Sequence, residues 1–343
     1  MPKPPSIERF GTLSDSNEVP LIRLSGDGIT AEILGLGAVI RSLDVDVGSG
    51  YRPRVLGLRT LDDYINHSPS MGIIAGRYAN RIGNARFNLD GREITLVPNE
   101  AGVTQLHGGP NGFGKRLWSI ADHGGSHVTL RLVSDDGDQG FPGRVEALCR
   151  YSIEDNGRFR IELTATTDAP TVVNLAAHSY FNLDNSATIL DHLVAIPADT
   201  YTPVDHLKIP TGAILPVAGT PFDFTTLRAV RYSGPDAPVI YDHNFVVSME
   251  KAAEPRLMAR LIGPQTRTEM QVLSTEPGVQ FYDGTHLGVP VPPLNRPETK
   301  GNAGLCFEPQ YFPDTPNKPQ FGSATLRPGE TYRQVTEYRF RAA

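Results

Sequence analysis

Two runs, RVEALCRYSIED (144–155) and RFRIELTATT (158–167), lie almost end to end, with the pair Asn156–Gly157 between them. Each alternates apolar and polar residues, the period of two that sets one face of a strand against a core. Asn-Gly is a favoured hairpin turn, so the two runs read as neighbouring antiparallel strands. The same texture continues outward through ITAEILGLGAVIRSLDVDV (29–47), HVTLRLVS (127–134), HNFVVSME (243–250) and RTEMQVLST (267–275). These predict strands of about five to eight residues, separated by turn pairs such as DG, NG and GG. No apolar period of 3.6 is sustained over three turns; one short helix is expected near TLDDYINH (60–67). Strands at short spacing without intervening helices predict an all-β chain of antiparallel sheets, a sandwich or a barrel.

At 343 residues the chain can bury a large core, and all-β folds of this size commonly form one domain. There is no internal repeat and no low-complexity linker, so a single domain over 1–343 is expected, with 1–20 as a loosely ordered extension. The formal charge of −6 and the lack of a dense Lys/Arg run argue against nucleic acid as a partner. The N-terminal MPKPPSIERFGTLSDSNEV lacks the apolar region of a signal peptide, and no run of 18 apolar residues occurs. A soluble cytoplasmic protein without a membrane partner is the expectation. Cys149 and Cys306 sit in apolar strand-like contexts without metal-ligand spacing, and read as small buried hydrophobes.

Five stretches carry groups able to do chemistry. In NLAAHSYFNL (174–183), period two puts Leu175, Ala177, Phe181 and Leu183 on one face and Asn174, Ala176, His178, Tyr180 and Asn182 on the other. His178 is the centre of the second face; a hydrogen-bonded core histidine is the competing reading. In GLCFEPQYFPDTPN (304–317), Glu308 is the one charged residue between Lys300 and Asp314. Such surroundings disfavour the carboxylate and raise its pKa toward the range of a general base. Equally, Pro309 ends a ladder there and would leave Glu308 exposed at a strand end.

TQLHGGPNGFGKRLW (104–118) sets His107 before two glycines, which let backbone approach a ligand closely, or simply form a long surface turn. In MGIIAGRYANRIGNARF (71–87), Arg77 and Arg81 bracket Tyr78 and Asn80, and arginine forks and amides suit recognition of hydroxyls and carboxylates. YDHNFVVS (241–248) places Asp242, His243 and Asn244 before an apolar strand, with a turn cap as the plain explanation. No nucleophile elbow, zincin helix, P-loop or dinucleotide fingerprint occurs. His107 and His178 are far apart for a local metal site, although folding can join them. Histidines, a lone glutamate, an aspartate, an arginine and amides together suit proton shuttling on a polyhydroxylated substrate.

In family order, the blocks GRYANRI (76–82), FNLDG (87–91), LHGGPNGFGKRLW (106–118), DGDQGFPG (136–143), NLAAHSYFNL, YTPVDHLKIPTG (201–212), YDHNF, EPGVQFYDG (276–284) and GLCFEPQYFPDTPN resemble the aldose 1-epimerases (galactose mutarotases). The resemblance runs from about Gly26 to the C-terminal LRPGETYRQVTEYRF. It implies a large antiparallel β-sandwich, the galactose mutarotase-like supersandwich, acting without a cofactor or metal on galactose, glucose or a related free aldose. It implies Glu308 as general base, His178 as general acid and His107 as a second histidine near the ring oxygen. Asn80, Arg81, Asp242 and Gln280 match positions that bind sugar hydroxyls. A small-molecule sugar is the expected partner, of a monomer or homodimer.

Burial of Glu308 and a stabilising partner for His178 are expected to bring the two pKa values together, toward neutrality. The chain departs from the family pattern at Ala176, Ala177 and Gly114, where a hydroxyl, an amide and an aspartate are frequent. Three other readings stay open. A sugar-phosphate epimerase would use Lys115 and Arg116; a glycoside hydrolase would pair Glu308 with Asp242 at about 5 Å, or about 6.5–9.5 Å. A non-catalytic sugar-binding module would need no acid–base pair.

Overall fold

The computed structural model describes residues 6–68, 70–235 and 238–343. The two opening runs form the hairpin the sequence predicts: Val145–Glu154 pairs antiparallel with Arg158–Thr167, and Asn156 and Gly157 take positive φ at the turn. This hairpin supplies the third and fourth strands of a nine-stranded sheet. Its strand order is Ser119–His123, His127–Ser134, Val145–Glu154, Arg158–Thr167, Tyr332–Ala342, Thr268–Ser274, Arg256–Gly263, Leu193–Ala195 and Arg228–Ala229. Strand 127–134 alternates buried and half-buried residues along its whole length, the direct result of its period of two.

Two five-stranded antiparallel sheets accompany it, with four two-stranded ribbons among the described residues. One holds Ser6–Thr12, Glu18–Gly26, Ile29–Leu34, Ile40–Val45 and Arg52–Pro53 in chain order. The other runs Leu215–Pro216, Thr200–Thr202, Asp242–Val246, Gly278–Tyr282 and Cys306–Gln310. Their inner faces share one buried cluster with the nine-stranded sheet. Ile22 and Ile33 come from the first, Phe245, Phe281 and Phe307 from the second, and Cys149, Phe159 and Tyr338 from the large sheet. This is the antiparallel β-sandwich expected from the sequence.

Local deviations have local causes. Run 29–47 divides into two strands because Gly37 and Ala38 turn the chain at positive φ. Run 243–250 is extended only over Asp242–Val246, since the N–H groups of Val247 and Ser248 both turn to the carbonyl of Pro277. Residues 6–20 are not the loose extension expected: Ser6–Thr12 pairs along Glu18–Arg23. That edge is pinned by packing, with Phe10 edge-on to Tyr64 at 6.3 Å and Leu61 filling the space beside Gly11. Residues 1–5 lie outside the described part.

The predicted helix is present as Leu61–His67, started by a reciprocal capping box between Thr60 and Asp63. Among the described residues no helix is long and apolar enough to cross a membrane.

Candidate active site

Antiparallel register across three strands makes the site. Asn244, Gln280 and Glu308 stand in one cross-strand rank, and Asp242, Tyr282 and Cys306 in the next. The alternate residues His243, Phe281 and Phe307 point to the opposite face, where Phe281 stacks on Phe307 in the core. A hydrophobic strand thus carries a carboxylate on its back. Glu308 is only 2 % exposed, so the reading of a glutamate left open at a strand end by Pro309 does not hold.

His178 arrives from the extended segment 174–183, whose two faces separate as period two requires. Leu175, Ala177, Phe181 and Leu183 join the main core, while Ala176 and Tyr180 enter a second cluster beside His178. The main chain of His178 is tied on both sides, its N–H to the carbonyl of Ile73 (2.9 Å) and its carbonyl to the N–H of Gly72 (2.9 Å). Its Nε2 lies 3.5 Å from Glu308 Oε1.

His107 follows Gln105–Leu106, which pairs with Arg81–Ile82, and takes φ of 51°. Its N–H bonds the carbonyl of Asn80 (3.0 Å), and the N–H of Asn80 donates back to His107 Nδ1 (3.1 Å). The two imidazoles meet nearly perpendicular with centroids 5.1 Å apart. Folding has therefore joined the two histidines that the sequence separates. With Glu308 they place three ligating atoms within 4.8 Å of one another.

That trio does not fit a metal ion. Because Asn80 N–H donates to Nδ1, a neutral His107 carries its proton on Nε2. Binding a cation through either nitrogen would break that bond or require the tautomer that faces it with a second N–H. The arrangement makes His107 a fixed hydrogen-bond donor into the site.

The hydroxyl-binding candidates form a chain beside this pair. Gln280 Nε2 donates to Asp242 Oδ1 (2.7 Å), and Arg81 Nη1 lies 3.8 Å from Asp242 Oδ2. Glu100 grips Arg81 with both oxygens at 2.6 and 2.7 Å, a fork-to-fork pair that aims the guanidinium. Glu100 was not apparent in the sequence, where nothing marks it as the partner of Arg81.

Electrostatics follow from burial. Burial holds the Glu308 carboxyl well above the usual carboxylate range; Asp242 reinforces the shift and Arg81 opposes it. Burial lowers His178 to about 4, with its backbone hydrogen bond and Asp242 acting weakly the other way. The expectation of a partner-stabilised His178 near neutrality is thus reversed: desolvation outweighs the pull of Asp242. His107 is also well below its ordinary value, through burial and the positive charges of His178 and Arg81. Glu308 Oε2 and Gln280 Oε1 are buried acceptors without a hydrogen-bond partner in the protein. Each such atom costs about 1–3 kcal/mol, which a hydroxylated ligand recovers by donating to it.

Several sequence candidates fall elsewhere. Arg77 is buried away from the site, bonded to the carbonyls of Pro142, Gly143, Ser134 and Asp135. Arg116 is taken by Asp138, so it gathers no phosphate-binding cluster with Lys115. The glycines after His107 serve packing: a Cβ on Gly108 would stand 1.9 Å from the carbonyl oxygen of Gly76. His243 turns its ring toward Phe222 and Tyr201 while its Nδ1 accepts the N–H of Asp242.

The departures also have structural explanations. Ala176 and Ala177 pair with Ile74–Ala75 and are buried on both faces. Gly114 leaves room for Ile73, whose Cδ1 would lie 2.3 Å from a Cβ at that position.

An antiparallel sandwich carrying a buried carboxylate against two histidines defines a class of acid–base enzyme acting on hydroxylated substrates. The aldose 1-epimerase family model matches residues 20–339. The aldose 1-epimerase of Escherichia coli is 37 % identical over 322 residues, 91 % of this chain and 92 % of that protein. The galactose mutarotase of Mus musculus is 38 % identical over 347 residues, covering 97 % and 98 %. The crystal structure of an aldose epimerase homologue from C. elegans superposes with a TM-score of 0.88 at 32 % identity, covering 94 % of this chain and 99 % of that one. The chain belongs to the aldose 1-epimerase family, and is an isomerase.

Proposed function

We propose that this chain interconverts the α and β anomers of free galactose, glucose or a related aldose, with Glu308 and His178 as the base and acid. One observation carries the assignment: His178 Nε2 meets Glu308 Oε1 at 3.5 Å beside the unpartnered Glu308 Oε2. Glu308 removes the proton from the C1 hydroxyl, and that electron pair forms the C1 carbonyl. The bond from C1 to the ring oxygen breaks, and the ring oxygen takes the proton of His178. Rotation about C1–C2 presents the other carbonyl face, and closure returns both protons. His107 donates a hydrogen bond from Nε2 to the ring oxygen or the C1 region. Asn80, Arg81, Asp242 and Gln280 hold the remaining hydroxyls.

The directions of the shifts serve these roles. A raised carboxyl is a stronger base once ionised, and a lowered imidazolium is a stronger acid once formed. The working pair, ionised Glu308 with protonated His178, holds the same single proton as the neutral pair. Hydroxyls that bond the charged forms move that proton across without exchange with solvent.

Competing assignments lack such support. Asp242 is engaged by Gln280 and Arg81, and it is a histidine that faces Glu308. This favours the epimerase over a carboxylate-pair hydrolase, and the engagement of Arg116 by Asp138 favours a free sugar over a sugar phosphate.

We propose too that the chain acts as one domain, in the cytoplasm, as a monomer or homodimer without nucleic-acid or membrane partners. One buried cluster runs from Ile22 to Phe340, and the net charge is −6. Polarimetry of freshly dissolved α-D-glucose and α-D-galactose tests the activity. The expected result is equilibration faster than buffer for wild type and near the buffer rate for Glu308→Gln and His178→Asn. A wild-type rate equal to buffer on these and other free aldoses overturns it.

A further inference from the structure

The unused nitrogen of His178 has a partner of its own. Cys306 stands two residues before Glu308 on the same strand, so both side chains leave the same face of the sheet. Its Sγ lies 3.5 Å from His178 Nδ1, while His178 Nε2 lies 3.5 Å from Glu308 Oε1. The imidazole is therefore held between a thiol and a carboxylate supplied by one strand. Tyr180, whose ring centroid is 5.2 Å from that of His178, hydrogen-bonds the thiol from the other side.

We infer that Cys306 is a positioning residue for the acid–base step: its thiol, backed by Tyr180, sets the neutral tautomer of His178 with the proton on Nδ1, leaving Nε2 bare toward Glu308 and the substrate. This inference rests on the proposed role of His178. The direction of the chain follows from the proton that Glu308 and His178 Nε2 exchange. Burial, with Glu308 and Asp242 nearby, keeps the Cys306 thiol protonated, and burial keeps Tyr180 a phenol. His178 Nδ1–H then donates to Sγ, Tyr180 O–H donates to the same sulfur, and Nε2 is left bare to take the proton of Glu308.

The choice of a thiol has a second consequence. A backbone N–H on Nδ1, as at His107, only donates and opposes protonation of that ring. A neutral thiol accepts from Nδ1–H of the imidazole and of the imidazolium alike, so it holds the ring's orientation through both halves of a reaction whose acid and base exchange roles. The titratable and charged groups facing His178 are Glu308 and Cys306 from their strand, Asp242 from its own, Tyr180 from the same segment and His107 from its loop. Among the described residues it is the Cys306 side chain that contacts Nδ1, which makes it the group to change.

The test combines ¹⁵N NMR of the histidine side chains with steady-state polarimetry on wild type, Cys306→Ala and Cys306→Ser. In wild type at neutral pH, His178 shows a protonated Nδ1 and an unprotonated Nε2. Cys306→Ala loses that single-tautomer signature, lowers kcat by about 2- to 10-fold, the worth of one hydrogen bond, and shifts the pH profile, with KM little changed. Cys306→Ser, which keeps a donor and acceptor, recovers most of the loss. A wild-type spectrum with the proton on Nε2 overturns the inference, even where a variant fails to fold. So does a Cys306→Ala enzyme with unchanged tautomer, kcat and pH profile. If instead Glu308→Gln and His178→Asn keep wild-type rates, the catalytic assignment itself is what fails.

Discussion

His107 and His178 are neighbours in space with opposite second partners, and this difference separates a fixed donor from a mobile proton. On His107, Nδ1 receives a backbone N–H that cannot move or change charge. On His178, Nδ1 meets a thiol that accepts from it in either protonation state of the ring. Burial lowers both rings, yet only His178 has a carboxylate across from Nε2 to exchange with. A ring locked neutral is suited to polarising the ring oxygen without being consumed as an acid. One that accepts and releases charge can serve both directions of an isomerisation.

The largest effects should fall on the exchanging pair. Glu308→Gln and His178→Asn are each expected to lower kcat by about 10²- to 10⁴-fold, the usual worth of one positioned acid or base. His107→Phe removes a donor rather than a proton carrier, so a loss of about 10- to 100-fold in kcat is expected, the worth of a hydrogen bond to a charged group. Initial polarimetric rates on the same sugar measure all three. If His107→Phe falls as far as His178→Asn, the distinction between the two rings is broken.

The pH profile separates them without relying on magnitude. The pair is active with one proton. Below about pH 4, where His178 becomes protonated while Glu308 already is, the base is lost and kcat/KM falls. As pH rises through the raised pKa of Glu308, the pair loses its only proton, the acid disappears, and the rate falls again. These limbs belong to the coupled pair. His107→Phe should keep the acid limb near pH 4, because His107 stays neutral over the working range. His178→Asn should abolish that limb, leaving a residual rate that rises with pH as Glu308 ionises.

What the sequence made legible follows the range of its physics. The hairpin 144–167 and the two faces of 174–183 depend on a period of two and on turn residues, all local, and they were readable directly. The isolation of Glu308 in an apolar strand was visible as well, and its burial follows from that isolation. The grip of Glu100 on Arg81 and the approach of Cys306 to His178 span 19 and 128 positions, and no local pattern announces them. Even so, Cys306 and Glu308 share a strand face by simple alternation, a signal that the apolar context of the cysteine concealed. The direction of the His178 shift is hidden for a related reason: a sequence shows which charges exist but not how much water is removed from around them.

The smallest expected effect probes whether the two histidines share a support. The turn Phe113–Lys115 closes the loop that carries His107, and the N–H of Phe113 bonds the carbonyl of Gly76 at 2.8 Å. Gly114 of that turn packs on Ile73, whose carbonyl in turn receives the N–H of His178. Gly114→Asp would place a Cβ 2.3 Å from Ile73 Cδ1, so either the turn or Ile73 must shift. Overpacking of this kind costs about 1–3 kcal/mol, which urea denaturation would read as a lower midpoint with unchanged slope. Because Ile73 ties to His178 and the turn to His107, the Gly114→Asp enzyme should lose a few-fold in kcat at most, with the NMR signals of both imidazoles displaced. Displacement of the His107 signal alone would show that the two rings are held independently, and that the loop and the strand segment meet only through the substrate.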